Sequence, residues 1–492
     1  TINLPKNSLP AGTEIFLNIS FTAKEGYSPL VPKGHELAWE QFAYCEGSAP
    51  KQIENDIPRI DYKESSNMIV ISGNDFEVIF DRQRGCIGSY IHKGADLVKR
   101  GVLPEFWRAL TDNDRPSNRK FVNSKYRQAG KTQEITSCQI DRKSSDAVVV
   151  VVESKLPQSL GNIRIDYCFY GNGSIEVSYG YSPAVRNKGP FRVGLEMVLP
   201  SDMDQVQYYG RGPLPTYIDR TFERIGIYQS TVDKMWVEYS EPQENGNHLD
   251  VRWTSLRRKD GTGWLFAGSP SIAFAARHYS RDVIENAKYS FQMKRADGIH
   301  LNLDKTQAGV GGNTSWGKTP LAVYQLKAVP YSYSFRMIPL GKTDAIEDLL
   351  KTRPKKYAVP APTLIEAEIV NEPVSASSSQ GENSIENLID GNKHTRWCAS
   401  SGNFPQWCTI RFEKEKPVKG AVIYWELEGA YKYKIETSID GKKWKCVSDN
   451  SKNKTAQKVT RDEFEAVAKF LRIKIIGAPP EKWASIYEVE VL

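Results

Sequence analysis

The sequence predicts an all-β chain made of several antiparallel units, on three observations. Aromatic residues are frequent, with 18 Phe, 11 Trp and 24 Tyr among 492 residues, a composition that suits pleated, half-buried strands. Short stretches alternate apolar and polar side chains, the period of a strand with one wet face. Turn residues punctuate the chain at roughly the 8–12-residue spacing of sandwiches and barrels, while helical periodicity is nearly missing.

The elements follow in order. Alternation is plain over 14–21, and residues 1–49 carry about three strands, too little for a core of their own; 50–60 reads as a polar connector. Residues 61–341 form one long β segment with strands expected at 67–72, 74–81, 174–179, 190–199 and 321–326. The run Ala147 to Val152 is apolar at every position, which implies a strand buried on both faces. A short helix capped by Thr343, with Ile346, Leu349 and Leu350 on one face, opens the linker 342–363, which ends in Pro360-Ala361-Pro362. Residues 364–492 make a final unit with strands at 407–412, 421–425, 433–438, 470–475 and 485–491 and a hairpin turn at Asp440-Gly441.

Composition excludes several classes. The net charge of +7 is 66 basic against 59 acidic residues spread along the chain, without the clustered basic face of a nucleic-acid binder. No stretch approaches the roughly 18 apolar residues of a membrane helix, and no signal peptide is visible at the start. Seven cysteines, none at C-x-x-C spacing and none with a His cluster, argue against zinc and thioredoxin-type chemistry. A disulfide between Cys398 and Cys408 stays open.

Five motifs stand out. In 105–115, Trp107-Arg108 precedes Asp112, Asn113 and Asp114, a loop whose carboxylates hold its own backbone or, as readily, a turn with an anchored Trp. Tyr208 to Pro213 and Tyr217 to Arg220 flank a turn, with Arg and Asp set to pair, and 241–248 is a polar loop. In 309–317, Trp316 lies among glycines and small polar residues, so its indole reads as an open platform for a sugar ring, the alternative being a plug at the sandwich end. Within 387–397, a carboxylate, carbonyls around glycine and a hydroxyl suit the hard oxygens calcium needs; a D-G turn ahead of a buried Trp is the plainer account.

The strand order and this loop make the final unit similar to the factor V/VIII type C, or discoidin-like, jelly-roll sandwich. That resemblance implies a structural calcium held by Asn387, Asp390, Asn392, Thr395 and Glu488 (or Glu490). Members similar to carbohydrate-binding module family 32 bind galactose-type sugars, which implies roles for Glu428, Tyr431 and Trp483; Trp425 could join them, but its strand position favours the core. The other motifs, in their order, resemble the carboxy-terminal sandwich (a galactose mutarotase-like supersandwich) of glycoside hydrolase family 2 β-galactosidases over 61–341. Gly34 to Phe42 resembles the end of the immunoglobulin-like domain that precedes it, present here only in part.

The resemblance implies a sandwich that closes over the mouth of a catalytic (β/α)8 barrel, with Trp316, Trp107, Arg108, Asp112 and Asn113 near the substrate's leaving-group side. Both catalytic carboxylates, and any magnesium or sodium, would belong to that barrel, whose strand–helix alternation this sequence lacks. No catalytic residue is therefore expected here, and Glu244 and Asp112 are not promoted to the part. The implied partners are galactose-containing carbohydrate and the missing upstream domains; a homo-oligomer stays open. The parent would be bacterial, with a periplasmic or extracellular location favoured. A stand-alone carbohydrate-binding or adhesion protein competes, as does a parent acting on another β-linked sugar. The half-domain at 1–49 favours the enzyme portion, since such strands cannot close a core alone.

Overall fold

The computed structural model describes residues 13–46, 57–115, 124–184, 189–312, 319–351, 374–380, 383–480 and 482–492. It is almost wholly β, as the aromatic content and alternation require, and forms two compact units. One holds the described residues as far as Lys351, the other those from Val374 on.

The first unit opens with a hairpin of Glu14–Thr22 and Glu36–Glu46, two strands among the described residues where three were expected. It lies against strand Arg224–Thr231. The Gln41 carboxamide donates to the Ile225 carbonyl (3.0 Å) and accepts from the Ile225 N–H (2.8 Å). Arg252 grips Glu14 at 2.7 Å, and the Arg224 guanidinium stacks over the Trp39 ring at 4.2 Å.

The main sheet has twelve strands, running from Arg224–Thr231 through Gln205–Gly212, His248–Arg257 and Gly263–Arg277 to Glu134–Lys143 at the far edge. Arg192–Leu199 branches from it, pairing with Ile299–Gln307 and Arg100–Glu105. A five-stranded sheet over residues 61–96 supplies the opposing layer. Its inward side chains Ile69, Ile71, Val78 and Phe80 meet Tyr167, Phe169, Trp264 and Phe266 in one core. Phe80 sits edge-on to Tyr167 at 5.0 Å and Tyr90 to Trp264 at 4.6 Å, the offset geometry aromatic quadrupoles prefer. Ala147–Leu156 is buried on both faces: Val148, Val150 and Val152 enter this core, Val149 and Val151 a second cluster with Cys168 and Tyr170.

Two expectations need correction, and the cysteine question left open has an answer. Residues 321–326 are not a strand; Ala322–Tyr324 is a 3-10 turn closed by the Tyr324 N–H on the Leu321 carbonyl, and Leu321 and Val323 face solvent. The helix Ile346–Lys351 begins three residues past Thr343, which is therefore not its cap; its apolar face does pack Ile346, Leu349 and Leu350 on Trp253, Leu265 and Leu340. Cys398 and Cys408 are both buried and both free.

The second unit is a seven-stranded sheet that curls on itself. Gln406–Gly429 and Gln457–Gly477 pair along their length across three register shifts, which bend them round the core. Asp440 forms the expected turn, its carboxylate accepting from the N–H groups of Lys442 and Lys443 at 2.8 Å each.

Candidate functional site

The loop after Arg100–Glu105 is built around a buried fork. Arg108 donates to both carboxylate oxygens of Asp114 at 3.0 Å, and its remaining N–H groups reach the carbonyls of Ala308 (2.6 Å) and Gly309 (2.9 Å). Both side chains are wholly shielded from solvent. Asp114 also accepts from the Thr111 N–H at 3.1 Å, so a carboxylate does hold its own loop backbone. Trp107 is buried too, edge-on to Phe191 at 5.0 Å, with its indole N–H on the Glu285 carboxylate at 3.2 Å. Burial thus reassigns Trp107 and Arg108 from substrate contact to anchoring, because neither side chain reaches the surface.

Asp112 and Asn113 do reach it. Asp112 exchanges two hydrogen bonds with the Gln243 carboxamide (3.1 and 3.0 Å), and Asn113 donates to the Val310 carbonyl at 2.9 Å. Asp219 accepts from the N–H groups of Val310 (3.0 Å) and Gly311 (2.8 Å); the expected arginine pairing falls instead to Arg211, which holds Asp250. The 213–217 and 241–248 loops are stapled by Asn247 to the Thr216 carbonyl (2.8 Å) and by Thr216 to the Leu249 N–H (2.8 Å). Four loops singled out separately in the sequence therefore border one cleft of about 370 Å³. Leu214 and Phe222 line it with 62% and 74% of their surface exposed, and Tyr239, Arg220 and Glu223 complete the wall. Trp316 lies outside the described residues.

Behind the cleft sits an ionic layer. Glu244, buried, takes Arg192 at 3.2 Å and Arg277 at 2.8 Å. Burial pushes the neighbouring Asp304 carboxyl up to about 7 although Arg192 stands 3.0 Å away. A Cβ on Gly194 would fall 1.9 Å from Asp304 Oδ1, so only glycine leaves that carboxylate room. Glu244 is thus a structural counter-ion to two arginines.

In the second unit, Asp390 accepts from the Thr395 hydroxyl (2.6 Å) and the Asn392 N–H (2.9 Å). Glu488 accepts from the Gly391 N–H at 3.1 Å, and burial together with the Asp390 charge pushes it up to about 7. Asn387 is buried, its amide donating to the Arg396 carbonyl at 2.8 Å. Among the described residues no three His, Cys, Asp or Glu side chains form a metal cluster. Trp483 is 40% exposed beside Gly402, and Lys482 ties that segment to the Glu428 carbonyl at 2.6 Å. Tyr431 departs from its expected place on the surface. It is buried and stacked on Trp425 at 4.1 Å, an aromatic pair that packs the core.

Comparison with known proteins locates this architecture. The profile of the β-galactosidase small chain matches residues 72–337, more than half the chain. The chain belongs to that family. The regions flanking this match are similar to β-galactosidase domain 4 over residues 1–44 and to the F5/8 type C domain over 373–489. A β-galactosidase of Priestia megaterium is 28% identical over 309 residues, covering 62% of this chain and 30% of that protein. One of Lactobacillus delbrueckii subsp. bulgaricus is 33% identical over 296 residues, covering 58% and 28%. The chain thus spans under a third of the length of these relatives. Among solved structures, CpGH89CBM32-4 produced by Clostridium perfringens is 25% identical, covering 24% of this chain and 93% of that chain, with a TM-score of 0.23.

The sequence motifs did not point to Leu214, Phe222 and Tyr239 as cleft walls. The available signal was an aromatic set among turn formers and charges, as in Arg220-Thr221-Phe222-Glu223, a place where burial is hard to arrange.

Proposed function

We propose that this chain is the non-catalytic carboxy-terminal portion of a family 2 glycoside hydrolase that removes terminal β-D-galactose with retention, and that its cleft shapes the leaving-group side of the active centre. The convergence of four loops on one cleft, with exposed aromatic faces beside polar groups, carries this reading. Sugar rings stack their C–H faces on such aromatics while their hydroxyls need polar partners. The two carboxyl groups of a retaining mechanism, about 5–5.5 Å apart, belong in this reading to the upstream barrel, and the chain alone is inactive. In the full-length enzyme, Trp316→Ala and Tyr239→Ala should each weaken the leaving-group or acceptor sugar about three- to tenfold, read as a rise in KM for lactose and a loss of transfer to added sugar. Unaltered kinetics in both variants would refute the assignment.

The second unit fits a structural calcium and a galactose-type glycan in the same proposal. Asp390, Thr395, Glu488 and carbonyls of Asn387 and Asn392 would supply hard oxygens, and burial, with the Asp390 charge second to it, raises Glu488 in a way a divalent cation would relieve. Exposed Trp483 and Glu428 would face the sugar. Adding EDTA to the 492-residue chain should lower the second unit's melting temperature, with each kcal/mol of lost binding worth roughly 4–8 °C. An identical melting curve with and without chelator would remove the metal.

A further inference from the structure

The cleft holds one cation that the proposed leaving-group role leaves unexplained. Its carboxylates are engaged. Asp112 is held by Gln243, Asp219 by the N–H groups of Val310 and Gly311, Glu244 by Arg192 and Arg277, and Glu223 by a backbone hydrogen bond from Leu214. Arg220 is different. It lines the cleft and is exposed, and among the described residues its guanidinium has no hydrogen bond or ion pair. The segments that follow the cleft loops in sequence, 116–123 and 313–318, contain no Asp or Glu. No carboxylate from these stretches is available to neutralise it.

The position of Arg220 gives that charge a direction. The point where a Cβ would stand on Gly312 is 3.9 Å from Arg220 Nη2 and 4.0 Å from Asn113 Nδ2, and apart from Gly312 and its two chain neighbours no other described residue comes within 4 Å. Asn113 spends one amide hydrogen on the Val310 carbonyl and keeps the other. Glycine thus leaves an open corner walled by N–H donors from a cation and an amide. A guanidinium fork matches the planar oxygens of a carboxylate, which it can bind by two parallel bonds.

Resting on the leaving-group reading above, we infer that this corner selects a carboxylate on the group attached to galactose, an acidic sugar or acidic aglycone, with Arg220 as the residue that reads the charge. The test uses the full-length enzyme with two fluorogenic substrates, 3-carboxyumbelliferyl and 4-methylumbelliferyl β-galactoside, and follows the ratio of their kcat/KM values. Arg220→Gln should lower that ratio about tenfold, the worth of one partly solvated charge-assisted contact. Arg220→Lys should restore part of it, and raising the salt should compress it in the unmodified enzyme, since an exposed charge is screened. A ratio unchanged by Arg220→Gln, or an equal loss with both substrates, would overturn the inference. The two ideas fail separately. Loss of activity in Tyr239→Ala with a flat Arg220→Gln ratio sinks only the charge reading, whereas indifference of both galactosides to Tyr239→Ala and Trp316→Ala sinks the leaving-group assignment itself.

Discussion

Arg108→Met should cost the first unit about 3–5 kcal/mol, the penalty of breaking a fully buried ion pair by removing one partner. The substitution keeps an unbranched apolar stem but leaves the buried Asp114 carboxyl without the guanidinium that holds it. It also strips the carbonyls of Ala308 and Gly309 of their donors, and an orphaned buried acceptor carries its full desolvation cost. Urea unfolding of the 492-residue chain at neutral pH reads the loss as a lower midpoint for this unit with the second unit unmoved. The effect should extend to the cleft, because the same guanidinium ties the 106–115 loop to the strand end at 308–309. Asp114→Asn keeps an acceptor for the Thr111 N–H and should cost less. A change below 1 kcal/mol in Arg108→Met would mean that the fork does not form in solution.

The second large effect is expected from Trp425→Ala, at about 3–5 kcal/mol for deleting a buried indole. Trp425 lies flat against Tyr431, tilts toward Tyr433 at 5.3 Å and donates its indole N–H to Thr460 at 3.1 Å. Removing it opens a cavity between the curled strands and takes one hydrogen bond from the Thr460 hydroxyl. Trp425→Phe should recover most of the loss, since the stack survives and only the hydrogen bond goes. Denaturation of the second unit measures both, and an Ala variant as stable as the parent chain would return Trp425 to the surface.

The elements that the sequence announced were those governed by local periodicity. The double-faced valine run of Ala147–Leu156, the alternation of Phe76–Asp81 and the Asp440 turn all depend on neighbours within a few positions. Residues 321–326 misled because an apolar run is equally at home in an exposed turn. The cleft was legible as four motifs but not as one place, since its closure depends on contacts such as Asp112 with Gln243, 131 positions apart. Side-chain roles were the least legible. Nothing local distinguishes Trp107, which is buried, from Phe222, which is exposed. Arg211 finds its carboxylate at Asp250, 39 residues on, rather than at the nearby Asp219. The resemblance implies a sugar contact for Tyr431, yet its stacking on buried Trp425 draws the ring inward.

The Gln41 carboxamide has a consequence for solubility. Arg224–Thr231 ends the twelve-stranded sheet, and such a terminal strand is a template on which another chain can add itself. Exposed Ile227 makes this one sticky as well. By occupying both the donor and the acceptor of Ile225, a single glutamine side chain imitates the next strand without being one. The amino-terminal hairpin therefore behaves as a stopper, and a version shortened past Gln41 would offer its neighbours a growing edge.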